Sequence, residues 1–226
     1  MRVLIAVLAV VLGSRPGNSA ESLPLSKPSS TNAIAPSRHP LVDYKFTNQL
    51  GQAVSLSQFD GQALAITFFF TRCPIPEFCP RLSKNFQDVS QKLATRPGGP
   101  TNWHLLSVSF DTEFDTPPVL KAYAERYQYD PAHWSFLTGP SNKVSELAQL
   151  SGVKVAPEGG LFNHDFRTLI IDAAGHLQMV FPTGGNLSDA IIEEILRAAV
   201  VTNRAEAPNP KSEGPEKLPA PDSKRD

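Results

Sequence analysis

Three short, apolar-dominated runs limit what this chain can fold into: "ALAITFFF" at 63–70, "WHLLSVSF" at 103–110 and "HWSFLTG" at 133–139. Each is short for a buried helix and too continuous for a strand with one wet face. Each therefore reads as a strand covered on both faces. Helix-period segments lie between and after them. From Pro80, Leu82, Phe86, Val89 and Leu93 recur at steps of four, three and four. "PPVLKAYAERY", 117–127, places two prolines in a first helical turn, where they are tolerated. "SNKVSELAQLSG", 141–152, closes on Gly152. This alternation predicts a mainly parallel sheet with helices on its faces.

The flanking segments complete the expectation. "YKFTNQLGQAVSL", 44–56, reads as an N-terminal hairpin turning at Gly51. "FRTLIID" and "LQMVFP", joined by "AAGH", read as a second hairpin over 166–182, which adds antiparallel strands. "SDAIIEEILRAAVV", 188–201, reads as an amphipathic helix capped by Ser188. The predicted fold class is α/β, with three layers and a central mixed sheet flanked by helices.

The ends have a different composition. Arg2, ten unbroken apolar residues at 3–12 and small residues up to Ala20 give 1–20 the layout of a secretory signal peptide. The apolar run is too short to span a bilayer, which takes roughly 20 residues, and no cysteine lies near it to carry a lipid. Residues 21–40, with Pro24, Pro28, Pro36 and Pro40, read as a flexible Pro/Ser-rich tether. Residues 204–226 are rich in proline and charge and are expected to be disordered. The folded domain is expected over 41–203. The expected location is outside the cytoplasm, in the periplasm or cell envelope, with no membrane anchor read from the sequence. A net charge of −1 lacks the basic excess of a general nucleic-acid binder.

The only two cysteines, Cys73 and Cys79, fall in "TRCPIPEFCPR", just past the first buried run. The carboxyl end of a central strand is where such sheets place ligands. On one α-helix the pair would stand ~9 Å apart along the axis and roughly 240° apart around it. They could then neither bridge nor share an ion. Pro76 also breaks any helix begun earlier. Cys73 therefore belongs in a loop. Pro80 suits the first helical position, which makes Cys79 the expected N-cap. There the helix amides favour a thiolate, with Arg72 and Arg81 nearby. Three uses stay open at this point: an inert disulfide of the kind exported proteins carry, a redox couple, or two donors of a metal site.

"ITFFFTRCPIPEFCP", "LLSVSFDTEFDTPPVLKAYAERY" and "NHDFRTLIIDAAGHL" resemble the Sco (SenC) proteins. These are thioredoxin-fold copper-binding proteins that assemble the binuclear copper centre of cytochrome c oxidase. The likeness covers about 41–203. Its more specific parts are Ser109-x-Asp111 followed by Asp115-Thr116-Pro117, and a histidine just ahead of the penultimate strand. The resemblance implies a thioredoxin-like fold and a copper ion, Cu(I) or Cu(II), held by Cys73, Cys79 and His164. Two thiolates and an imidazole suit that metal. It also implies a copper-acceptor protein, a cytochrome oxidase subunit, and a thiol reductant as partners. The chain departs from the family in having five residues between its cysteines, where three are usual. Where thioredoxin-type reductases carry a proline it has Asn163 and His164.

The competing reading is a thiol-disulfide oxidoreductase, with one of Cys73 and Cys79 attacking an acceptor's disulfide and the other resolving the mixed disulfide. A peroxidase ranks third, since no Thr-x-x-Cys motif is present. The other ionisable and sulfur groups take plainer readings. His39 is solvated in the tether, His104 packs in a strand, His133 caps one, and His176 lies in a turn. Asp111 and Asp115 read as turn and helix caps, with support of the site's ligands as the alternative, Met179 as core, and Glu77 as a loop tip or a modulator of thiol acidity.

Overall fold

The computed structural model describes residues 44–158, 161–164, 167–182 and 185–201, with backbone alone for 155–158 and 161–164. The expected signal peptide 1–20, the tether 21–40 with His39, and the tail 204–226 lie outside the described residues.

The chain opens with β1 (Lys45–Asn48) and β2 (Ala53–Ser55), antiparallel to each other. The Asn48 carboxamide oxygen shapes their turn by accepting from the backbone N–H of Leu50 and Gln52, at 3.0 and 2.9 Å. A single 3-10 turn, Leu56–Phe59, leads to β3 (Ala63–Phe69). Then follow α1 (Cys79–Ala94), β4 (Trp103–Ser109), α2 (Pro117–Arg126), β5 (Trp134–Thr138) and α3 (Ser141–Leu150). The chain continues through β6 (Val155–Glu158), β7 (Leu161–His164), β8 (Arg167–Ile171), β9 (Leu177–Pro182) and α4 (Ser188–Ala199).

Seven strands form one mixed sheet in the order β2-β1-β5-β4-β3-β8-β9. The three apolar runs are its parallel centre: β3 pairs with β4, and β4 with β5. The two hairpins add antiparallel strands on either side, β1 against β5 and β8 against β3. Side chains alternate between two apolar layers, as the two-residue period of a strand dictates. Ala63, Ala65 and Phe69 face a core with Phe86 and Val89 of α1, Leu120 of α2, and Ile191 and Ile195 of α4. Leu64, Ile66 and Phe68 face the other way, onto Val144 and Leu147 of α3 and Phe46 and Val54 of the first hairpin. Each Leu, Ile, Val or Phe side chain among these, taken fully out of water, contributes about 1.5–3 kcal/mol before entropy is counted.

Two local expectations are corrected. Ser188 is the first residue of α4 and does not cap it. The Asn186 side-chain oxygen accepts from both its backbone N–H, at 3.0 Å, and its hydroxyl, at 2.7 Å. Met179 is 39% exposed, because β9 is an edge strand. The β6–β7 ribbon, which stands apart from the main sheet, was not expected from the sequence.

Candidate functional site

The site begins where β3 ends. The backbone N–H of Cys73 donates to the Phe70 carbonyl at 3.3 Å, closing a tight turn with Thr71 and Arg72 at its centre. The loop then runs through Pro74, Ile75, Pro76 and Glu77, all exposed, before α1 starts. Cys79 is the first helical residue and Phe78 precedes it as the cap, which corrects the expectation that Cys79 itself would cap the helix. Pro80 follows in the first turn, where a missing N–H costs nothing.

The two cysteines are not joined in a disulfide and differ sharply in setting. Cys73 is half-buried, whereas Cys79 is 0% exposed, packed among Phe69, Phe70, Phe86 and Tyr123. The Cys79 thiol hydrogen-bonds to the Cys73 sulfur. That bond, helped by backbone N–H groups of Ile75 and Cys79 and opposed by partial burial, lowers the Cys73 pKa to about 6. The same bond raises the pKa of Cys79, because the proton it lends is held there, and burial adds to the rise. The sequence had assigned the lower pKa to Cys79 from its place at a helix N-terminus. The structure reverses the assignment, first because the bond between the sulfurs keeps the proton on Cys79, and second because burial disfavours an anion there. The opposed shifts favour one thiolate, at the half-buried Cys73, beside the buried Cys79 thiol.

Below Cys79, the Tyr123 hydroxyl lies 2.9 Å from Ser83 Oγ and 3.4 Å from the Tyr127 hydroxyl, and burial raises its pKa. Above it, the loop between β4 and α2 reaches the turn ahead of Cys73. Arg72 donates to Asp111 Oδ2 through Nε at 2.8 Å and Nη2 at 2.5 Å, with its guanidinium 4.1 Å from the centre of the Phe114 ring. Asp115 accepts from the Thr71 N–H at 3.0 Å and from the hydroxyls of Thr71 and Ser109. The plain reading of these aspartates as caps is corrected: Thr116 occupies the N-cap position of α2, and both carboxylates instead hold the turn ahead of Cys73. Arg72 lies 39 residues from Asp111 and Thr71 44 residues from Asp115, separations that no local pattern could signal, whereas Ser109 is near Asp115 in the chain.

His164 is the last residue of β7, opposite Val155, and its side chain lies outside the described residues. Its strand ends three positions before Arg167, whose carbonyl accepts from Thr67 Oγ1 at 3.1 Å. Thr67 pairs with Thr168, so β8 starts at the end of the sheet where β3 finishes. The chain carrying His164 and the loop carrying Cys73 therefore leave the sheet at the same end. Among the described residues no trio of His, Cys, Asp and Glu is placed to hold a metal.

The remaining histidines keep plain roles. His104 is buried, its ring tilted against Phe59 with centres 4.5 Å apart and its Nε2 2.9 Å from Ser135 Oγ. His133 stacks on Trp103 with ring centres 4.1 Å apart. Both lie near the starts of β4 and β5, at the end of the parallel strands away from the cysteines. His176 sits in the β8–β9 turn beside Asp172, at 3.4 Å.

The SCO1/SenC family model matches residues 35–200. A SCO1 protein homolog of Bacillus subtilis (strain 168) is 32% identical over 127 residues, covering 55% of this chain and 63% of its own length. The match thus spans less than two thirds of that relative. BsSco, a member of the Sco family of cytochrome c oxidase assembly proteins in which a disulfide switch is identified, aligns with a TM-score of 0.64 at 26% identity. It covers 74% of this chain and 97% of BsSco. Arabidopsis thaliana ScoI with copper bound shares the fold at 19% identity and a TM-score of 0.58, covering 68% and 96% of the two chains.

Proposed function

The chain belongs to the SCO1/SenC family, and on that premise we propose that it holds a copper ion with Cys73, Cys79 and His164 and delivers it to an acceptor protein. The acceptor we propose is a cytochrome oxidase subunit, reached after export to the periplasm or cell envelope. The observation that carries this reading is the hydrogen-bonded thiol pair, at the sheet end from which the His164 segment also departs. Soft thiolate donors favour Cu(I), and an imidazole is a compatible third donor for either oxidation state. Cys73 is already acidic, so copper need displace only the proton on Cys79. The half-buried Cys73 sulfur is the donor an acceptor's ligand can approach first.

The copper-bound fold neighbour and the cytochrome oxidase assembly role of BsSco support the reading. The test is titration of the reduced full chain with Cu(I) and Cu(II). One equivalent bound by the wild type, and binding lost in Cys73→Ala, Cys79→Ala and His164→Ala, is the expected result. Unchanged binding in His164→Ala removes the imidazole from the ligand set.

The unequal thiols favour a second reading, a thiol-disulfide oxidoreductase. The Cys73 thiolate would attack an acceptor's disulfide, forming a mixed disulfide and releasing one acceptor thiolate. Cys79 would then attack Cys73 Sγ, closing the Cys73–Cys79 bond and releasing the second. Reduction of insulin disulfides by the full chain with no copper bound in titration would put this reading first.

A further inference from the structure

We propose that Asp115, a residue outside the cysteine loop, is the positioning residue that holds Cys73 over Cys79. The proposal rests on the reading of Cys73 and Cys79 as a working pair. Asp115 is 0% exposed, and an ionisable side chain taken out of water must be well supplied with hydrogen bonds. Its partners are the Thr71 N–H, the Thr71 hydroxyl and the Ser109 hydroxyl. None is a cation; the nearby Arg72 is held by the neighbouring Asp111. Among the described residues, the Asp115 side chain accepts nothing from the first turn of α2, so it does not serve that helix.

Two of its three donors come from Thr71, which has a particular place. The turn that delivers Cys73 runs from Phe70 to Cys73, closed by the Cys73 N–H on the Phe70 carbonyl. Thr71 and Arg72 are its two central residues, and each is fastened to the β4–α2 loop, Thr71 by Asp115 and Arg72 by Asp111. A turn closed by one backbone bond at 3.3 Å has freedom to change type. Fixing both the N–H and the hydroxyl of its first central residue removes that freedom. Ser109 ties the arrangement to the sheet, since its hydroxyl also accepts from the Asp111 N–H at 3.1 Å. The sequence requirement is a Thr two residues before the first cysteine and an Asp six residues after the Ser that ends β4. Both sulfurs then keep one relative pose whether or not anything is bound.

The experiment times ring closure between the two sulfurs. The reduced full chain is mixed with excess 5,5′-dithiobis(2-nitrobenzoate). The Cys73 thiolate cleaves the reagent, forming a mixed disulfide and releasing one thionitrobenzoate anion. Cys79, as its thiolate, then attacks Cys73 Sγ, forming the Cys73–Cys79 bond and releasing the second anion. The second release is intramolecular, so its rate reads how well Cys79 is aimed at Cys73. Asp115→Asn and Thr71→Val are expected to slow it by about tenfold or more. Thr71→Ser, which keeps the hydroxyl, is expected to stay near the wild-type rate. The sign separates positioning from charge, because deleting a nearby negative charge by itself makes Cys79 more acidic and speeds its attack. An unchanged or faster second release in folded Thr71→Val and Asp115→Asn overturns the proposal, even where their urea midpoints fall. If Asp115→Asn does not fold, the Thr71→Val and Thr71→Ser pair decides alone. A wild type that releases a single equivalent overturns the pairing itself. Failure to bind copper, in contrast, leaves this test intact.

Discussion

Arg72 grips a single oxygen of Asp111 twice, through Nε at 2.8 Å and Nη2 at 2.5 Å, one residue before Cys73. The Asp111 side chain is 8% exposed and that of Arg72 46%. Removing the arginine therefore strands a buried carboxylate, while the arginine itself loses little by returning to water. Arg72→Met is expected to cost about 1–2 kcal/mol, less than a fully buried pair because solvent screens one partner. Arg72→Lys is expected to recover only part of this, since an ammonium cannot present a planar fork or stack flat on Phe114. Urea denaturation of the three proteins checks the order.

Gly139, just past β5, faces β1 so closely that a Cβ there would stand 2.8 Å from Phe46 Cδ1. Phe46 is 3% exposed and packed in the core, so its ring cannot simply swing away. Gly139→Ala is expected to destabilise by about 1–3 kcal/mol through overpacking. In a Phe46→Val background the clash is gone and the cost should largely disappear. A double-mutant cycle by chemical denaturation measures the coupling; additive effects would place the strain elsewhere.

The parallel centre of the sheet was legible because β3, β4 and β5 are buried on both faces and leave continuous apolar runs. The α1 face was legible from Leu82, Phe86, Val89 and Leu93, all of which are buried. What stayed hidden depends on distant partners. The separate β6–β7 ribbon was not expected; Pro157, a residue that donates nothing to a strand ladder, pairs there with Phe162. The exposure of Met179 follows from β9 lying at an edge, which the alternation of its residues does not reveal. The ranking of the thiols failed because helix position says nothing of the bond between the two sulfurs, nor of the core around Cys79, which is built from β3, α1 and α2. The cysteine loop itself was visible from Pro76, Pro80 and the spacing. The aspartates that hold it came from another part of the chain.

Burial, with a smaller push from His133, lowers the pKa of His104 from 6.5 to about 4. The folded protein thus resists a proton that the unfolded chain accepts. The stabilisation is complete above pH 6.5 and is lost as pH falls through that range towards 4. It amounts to about 3 kcal/mol in all. His104→Gln retains a polar partner for Ser135 and carries no titrating ring. The variant's stability is expected to vary less between pH 7 and pH 4.5 than the wild type's. Parallel denaturation curves at both pH values would assign the acid sensitivity to carboxylates instead.

Cys73 supplies the most direct readout of the site. Its pKa, lowered to about 6 chiefly by the Cys79 thiol, predicts an iodoacetamide rate that rises through pH 6 and levels off by neutrality. Because the folded pKa is depressed, the matching contribution to stability is present above the ordinary thiol value and fades as pH drops through about 6. Cys79→Ala removes the largest cause of the shift, so the midpoint should climb back towards 9, the ordinary value. Cys73→Ala should leave a folded protein almost inert to the reagent, since Cys79 is 0% exposed. A midpoint that stays near pH 6 without Cys79 would move the source of acidity to the loop amides of Ile75 and Cys79. The neighbouring thiol would then be a bystander to the reactivity of Cys73.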